Sequence, residues 1–452
     1  MKRFEKSELL TGDITSAILK MAFPLMGIGF IQMAYTLTDI IWLGRLSTGS
    51  VSAVGTVGFF VWITESIILI GKTGVVVGLS QAHGRRDDEE AEEVMRSGAQ
   101  IHYLIGALLI AFYLIFAKKI IGIYDLSERV FNETLKYFYI VTVGYVFSFS
   151  NSIMVTNFSA RGNSVIPFKV SIAALILNIV LDPLLIFGVG FFPRLEVAGA
   201  ALATVLAQAL ATVLYLYFSK MYKTEFVTTN YFKLAPKKYY GRIFAIGGPA
   251  ASQSLIHAGV GTILNKYISS YGEIYIAVYS IGAQIESITW LSSEGIATAF
   301  SAFMGQNLGA KNYDRLEEGR KVGLRIMIII GTIGSVLLFV FSNHFFQFFV
   351  PEDLLTQVEG AKYLRIISPS EFFMCIQIGT AGMLNGLGLS RYPAYASAVT
   401  NISRVFISLL LMPYMGVLGI WAAMSITTIL NGIAETVLYV MIRNKTNGFR
   451  TI

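Results

Sequence analysis

Apolar runs of about twenty residues or more alternate with short charged connections along the whole chain. Twelve such runs stand at roughly 15–43, 50–78, 98–117, 133–158, 168–190, 197–218, 243–268, 274–304, 323–342, 360–386, 393–414 and 418–442. At a rise of about 1.5 Å per residue, each is long enough to cross a hydrocarbon layer of about 30 Å. The expected fold is an all-α polytopic membrane protein with twelve transmembrane helices.

The pattern also repeats. Pro24, Gln81, Gly84 and Gly98 recur as Pro249, Gln306, Gly309 and Gly323 at an offset of 225. Gly162, Ser164 and Pro167 recur as Gly388, Ser390 and Pro393 at 226. These residue types fix turns and kinks, so their recurrence marks two copies of one structural unit. Six spans per copy give both copies the same orientation. They are expected to be two six-helix lobes related by a pseudo-twofold along the membrane normal. The expected divisions are an N-lobe over 1–218, a polar, basic linker over 219–242 and a C-lobe over 243–452.

Composition supports the membrane reading. The chain is 54% hydrophobic and only 14% charged, with a mean hydropathy of +0.63, whereas soluble chains carry about 25% charged residues. The N-terminal stretch MKRFEKSELLTGDITS shows no signal-peptide pattern, so the first apolar run is expected to remain. The net charge of +7 is not a nucleic-acid footprint. Twenty-three Lys and Arg fall on the side of the membrane that carries both termini, and eight on the other. Basic residues favour the cytoplasm, so both termini are expected there, in a cell (inner) membrane. The acidic run Asp87–Glu93 reads as the solvated start of a helix rather than a metal site. The single cysteine, Cys375, reads as a packing residue.

Carboxylates inside apolar spans are costly and therefore informative. Asp39 lies near the outer end of the first span, and Gln32 and Tyr35 share its helix face. Asp182 lies within the fifth span, with Asn178 one turn before it and Pro183 directly after. A proline has no N–H, so the carbonyl of Ile179 loses its helical partner. A carboxylate, an amide oxygen and a freed carbonyl suit a hard cation such as Na⁺. A buried carboxyl of this kind can equally bind and release H⁺. Thr204 on the next helix offers another oxygen. The repeat places Leu264 and Ser408 where the first copy has Asp39 and Asp182, so one site per chain is expected, in the first copy. The second copy offers His257, Glu286 and Arg404 at positions whose roles stay open.

Six segments carry a family resemblance: SQAHG (80–84), ARGNSVIP (160–167), NIVLDPLLIFG (178–188), VAGAALAT (197–204), GQNLGA (305–310) and NGLGLSRYP (385–393). With these motifs the chain resembles the multidrug and toxic compound extrusion (MATE) family, and within it the DinF-like branch. The resemblance implies export of organic, often cationic and amphipathic compounds in exchange for H⁺ or Na⁺, with no other cofactor. It implies a cation site at Asp39, Asn178, Asp182, Thr204 and the carbonyl of Ala200. It implies a hydrogen-bond network including Gln32, Tyr35, Tyr137 or Tyr139, and Asn151 and Asn157. The partners implied are the lipid bilayer and small organic substrates, with no nucleic acid and one chain as the working unit. A lipid-linked glycan flippase of the same superfamily and a major-facilitator carrier are the alternatives. An intramembrane aspartyl protease would need a motif the chain lacks, since Leu389 follows Gly388 where an Asp is required. The chain is expected not to be an enzyme.

Overall fold

The computed structural model describes residues Glu8–Thr451. The basic residues Lys2, Arg3 and Lys6, which support the expected topology, lie outside the described residues. Fifteen helices follow one another: α1 (Glu8–Thr11), α2 (Ile14–Gly44), α3 (Thr48–Arg85), α4 (Asp88–Ile121), α5 (Glu128–Ala160), α6 (Val165–Phe187), α7 (Val197–Tyr222), α8 (Glu225–Thr228), α9 (Lys237–Ser269), α10 (Glu273–Gly309), α11 (Tyr313–Val340), α12 (Ser342–Phe349), α13 (Leu354–Gly386), α14 (Arg391–Met415) and α15 (Val417–Lys445). No strand occurs among the described residues. The twelve long helices stand where the apolar runs predict them. Among the described residues, nine are long and apolar enough to cross a membrane on length and composition alone. The other three, α9, α10 and α13, carry more polar side chains, including Gln253 and His257, Glu286, and Glu371 and Gln377.

The helix ends follow local chemistry. The Asp87 side chain accepts from the backbone N–H of Glu90 at 2.8 Å and caps α4. The acidic run is thus the first turn of α4 itself, where it complements the helix dipole, and the helix runs unbroken into the third span. Ser47 caps α3 through the N–H of Ser50 at 3.0 Å. Gly188 ends α6 in the left-handed conformation, with φ of 72°.

Two compact units result. One comprises Gly27–Gly248, and the other Glu8–Met26 together with Pro249–Ile452. These divisions fall inside α2 and α9, near Pro24 and at Pro249. The linker over 219–242 packs with the first unit.

Within each unit, glycines permit close helix contact, as bilayer packing favours. A Cβ on Gly199 would lie 2.5 Å from the Leu185 carbonyl oxygen, which brings α7 onto the backbone of α6. The second unit repeats this: a Cβ on Gly419 would lie 2.8 Å from the Leu411 carbonyl oxygen. Large apolar side chains point outward in numbers that no soluble surface carries, among them Phe23, Leu104, Ile115, Val213 and Phe406. That surface is solvated by lipid tails.

Candidate cation site

Three helices of the first unit bring the predicted acids together. Asn178 and Asp182 sit one turn apart on α6, and the Asn178 amide donates to Asp182 Oδ1 at 3.1 Å. The same amide reaches Thr204 Oγ1 on α7 at 3.4 Å. The Thr204 hydroxyl donates to Asp39 Oδ2 on α2 at 3.5 Å. Asn178 and Asp182 are fully enclosed and Asp39 nearly so.

The backbone explains the convergence. Leu195 and Glu196 return their N–H groups to the carbonyls of Leu185 and Ile186, at 2.9 and 3.1 Å. These bonds fold the α6–α7 connection tightly back on itself. Gly199 then lets α7 lie directly on the last turn of α6. Thr204 follows a little over one turn later, level with Asn178.

The cluster is rich in acceptors and poor in donors. Asp39 Oδ1, Asn178 Oδ1 and Asp182 Oδ2 are buried without a hydrogen-bond donor. Asp39 and Asp182 also lie within hydrogen-bond reach of one another. Two carboxylates hold such a contact only if one carries a proton or a cation joins them. The donor set is all oxygen, which fits Na⁺ or H⁺ and gives a soft metal no sulfur or imidazole ligand. Among the described residues, no group of three or more His, Cys, Asp or Glu gathers in a metal-binding arrangement.

Other predicted residues fall at different distances from this centre. Tyr35 and Tyr137 lie within electrostatic range of both carboxylates. Tyr139 packs among apolar side chains. Ala200 is fully buried on α7, one turn before Thr204. Gln32 is exposed. Asn151 is tied to α7 instead, donating to the Gln208 carbonyl at 3.0 Å and accepting from the Thr212 hydroxyl at 2.8 Å. Asn157 donates to Glu225 Oε2 at 2.7 Å, away from the acid pair.

Glu225 explains two of the sequence motifs. It opens α8 and is buried, although it lies in the linker. His83 of SQAHG meets its Oε1 at 2.9 Å, and Arg161 of ARGNSVIP grips both its oxygens at 2.6 and 2.8 Å. Burial alone would raise this carboxyl. The hydrogen bonds and charges of His83 and Arg161 outweigh that and hold it well below the usual carboxylate range. The acid lies in the segment expected to be a polar, basic linker, so hydropathy gave no hint of its burial.

In the second unit, Arg404 donates to the hydroxyls of Thr427 and Thr428 at 2.8 and 3.0 Å. Glu286 accepts from Tyr363, and His257 meets Asn401 Oδ1 at 3.2 Å. Glu371 and Glu435, absent from the sequence reading, are also buried here. Their signal was the one that marked Asp182: an acid inside an apolar run, in PSEFFMCIQ and GIAETVLY.

A twelve-helix, lipid-facing bundle with buried oxygen-rich acids is the framework of a multi-pass membrane transporter. The MatE family model matches residues 24–184 and again 249–410, each match beginning on a repeat proline. The chain therefore belongs to the MATE family of transporters. It is 28% identical over 316 residues to the probable multidrug resistance protein YoeA of Bacillus subtilis, covering 69% of this chain and 67% of that protein. It is 25% identical to an FAD transporter of Shewanella oneidensis, covering 95% of each chain. A multidrug resistance MATE family transporter solved in an outward-facing conformation superposes with a TM-score of 0.91, at 20% identity and over 98% of this chain and 99% of that one. That likeness concerns the fold.

Proposed function

We propose that this chain exports organic, often cationic and amphipathic compounds by alternating access, driven by inward movement of H⁺ or Na⁺ through the first unit. The observation that carries this reading is the buried contact of Asp39 and Asp182, joined through Asn178 and Thr204. With one acid already carrying a proton, a cation entering the cluster neutralises the other and changes how α2 packs on α6 and α7. Linkage requires the cation to favour the state that releases substrate. The names of the B. subtilis and S. oneidensis relatives support an exporter of organic molecules. We place the protein in the cell membrane with both termini in the cytoplasm, acting as a single chain. It carries out no covalent chemistry on its substrate.

The test is efflux of a fluorescent cationic dye from proteoliposomes, first with a pH gradient alone and then with a Na⁺ gradient alone. Wild type should respond to at least one gradient, and Asp182→Asn should not. Uphill export by the double variant Asp39→Asn, Asp182→Asn would overturn the mechanism.

A further inference from the structure

The second spanning helix of each copy carries an acid that the mechanism above does not use. On α3, Glu65 is exposed although it stands near the middle of its helix, about 25 Å from the start and about 30 Å from the end. Trp62, one turn before it, is 44% exposed. On α10, Glu294 is exposed, and Trp290, one turn before it, is 47% exposed. At the repeat offset of 225, Trp290 stands where α3 has Glu65, and Glu294 where α3 has Leu69. The two copies thus reach the same pairing, an acid and a tryptophan one turn apart, from different positions on one helix face.

The surroundings of Glu65 say what it suits. An ionised side chain at this depth is too costly to face lipid, so this side of α3 borders water. Among the described residues, no hydrogen bond or ion pair engages its carboxylate. Lys72, the nearest base along the helix, lies about 10 Å further along the axis. Gly58 shares the face of Glu65, and a Cβ there would meet nothing within 4 Å, so open space adjoins the acid. The neighbouring hydroxyls of Thr64 and Ser66 are buried and donate to carbonyls of their own helix at 2.8 and 2.9 Å. No cage of oxygens therefore surrounds Glu65, as a small inorganic cation would need. A carboxylate beside an indole suits a large, weakly hydrated cation instead. The acid neutralises its charge, and the ring adds cation–π attraction and apolar contact.

We infer that Trp62, Glu65 and the open face at Gly58 form a docking surface for an organic cation. The inference rests on the export reading above and names the residues of the first unit that select the substrate's charge.

The experiment measures binding of radiolabelled tetraphenylphosphonium to the full chain in lipid nanodiscs. No ion gradient is present, so the result does not depend on coupling through Asp39 and Asp182. The background is Glu294→Gln, which removes the corresponding acid of the second unit. It should bind the cation saturably, and adding Glu65→Gln should weaken binding by roughly tenfold or more. Adding Glu65→Asp instead should keep a large part of it. Trp62→Leu and Gly58→Leu should each weaken binding too, and they decide if Glu65→Gln fails to fold. Affinity unchanged by Glu65→Gln, or lost equally in Glu65→Asp, would overturn the inference and leave the export reading standing. Binding by wild type but not by the background would move the surface to α10 and overturn it as well. No binding by wild type would overturn both readings.

Discussion

The Thr204 hydroxyl bridges two helices, accepting from Asn178 at 3.4 Å and donating to Asp39 Oδ2 at 3.5 Å. It touches the α2 acid directly, and Asn178 lies within reach of the same acid. Its single proton goes to Asp39 Oδ2, while Oδ1 has no hydrogen-bond donor. In Thr204→Val the shape stays and the hydroxyl goes. Losing one hydrogen bond to a charged group is worth about 1.5–3 kcal/mol. The driving-ion concentration that gives half-maximal dye export should rise by roughly tenfold or more, with yield and monodispersity unchanged. An unchanged ion dependence would show that Thr204 is a packing residue.

Gly199 gives a second handle on the same geometry. In Gly199→Ala the new methyl meets the Leu185 carbonyl oxygen at 2.5 Å and its carbon at 2.6 Å. Backbone cannot move aside as a side chain does, so α7 must shift away from α6. Overpacking of this kind costs about 1–3 kcal/mol. Gly419→Ala meets the Leu411 backbone in the second unit and is the matched control. Both variants should lower the thermal midpoint in detergent. At equal loss of stability, Gly199→Ala should weaken the driving ion's effect more, because only α7 carries Thr204.

The helices and the acids were legible in the sequence for one reason: lipid imposes length and apolarity on every span and penalises every charge within it. Asp182 beside Pro183 stood out against such a background, and so did Asp39. What the sequence left hidden was partnership. Hydropathy gives the extent of α2 and says nothing of the fact that its first half packs with the second unit. It also missed Glu225, because a buried acid in a polar linker looks like a solvated one until His83 and Arg161 are seen to meet it. Asn151 and Asn157 were assigned by resemblance alone, and each has a partner elsewhere.

Asn151 accordingly separates architecture from ion binding. It joins α5 to α7 through Gln208 and Thr212 and does not touch either aspartate. Asn151→Leu should remove both links from α5 to α7, leaving Thr212 to donate to the Gln208 carbonyl alone, and lower the thermal midpoint by several degrees. The ion preference and half-maximal ion concentration of export should match wild type. A shift in ion preference would bring Asn151 into the coupling network.

The Glu225 cluster predicts a pH dependence of stability that lies apart from transport. Its carboxyl is held below the ordinary value of 4.5 in the folded chain. A depressed acid stabilises the fold fully above its unfolded value and loses that contribution as pH falls toward the folded one. At neutral pH the contribution is complete, and the loss sets in on the acid side of about pH 4.5. Thermal midpoints of wild type in detergent should therefore fall as pH drops below that point. Glu225→Gln has no carboxyl to protonate at this position, so its midpoint should be lower at neutral pH and fall less steeply with acid. At neutral pH it also leaves Arg161 facing a neutral amide in a closed site. Breaking a buried ion pair from one side costs about 3–5 kcal/mol, enough to separate the two midpoints clearly. Parallel acid profiles for wild type and Glu225→Gln would show that another carboxyl governs stability on this face of the protein.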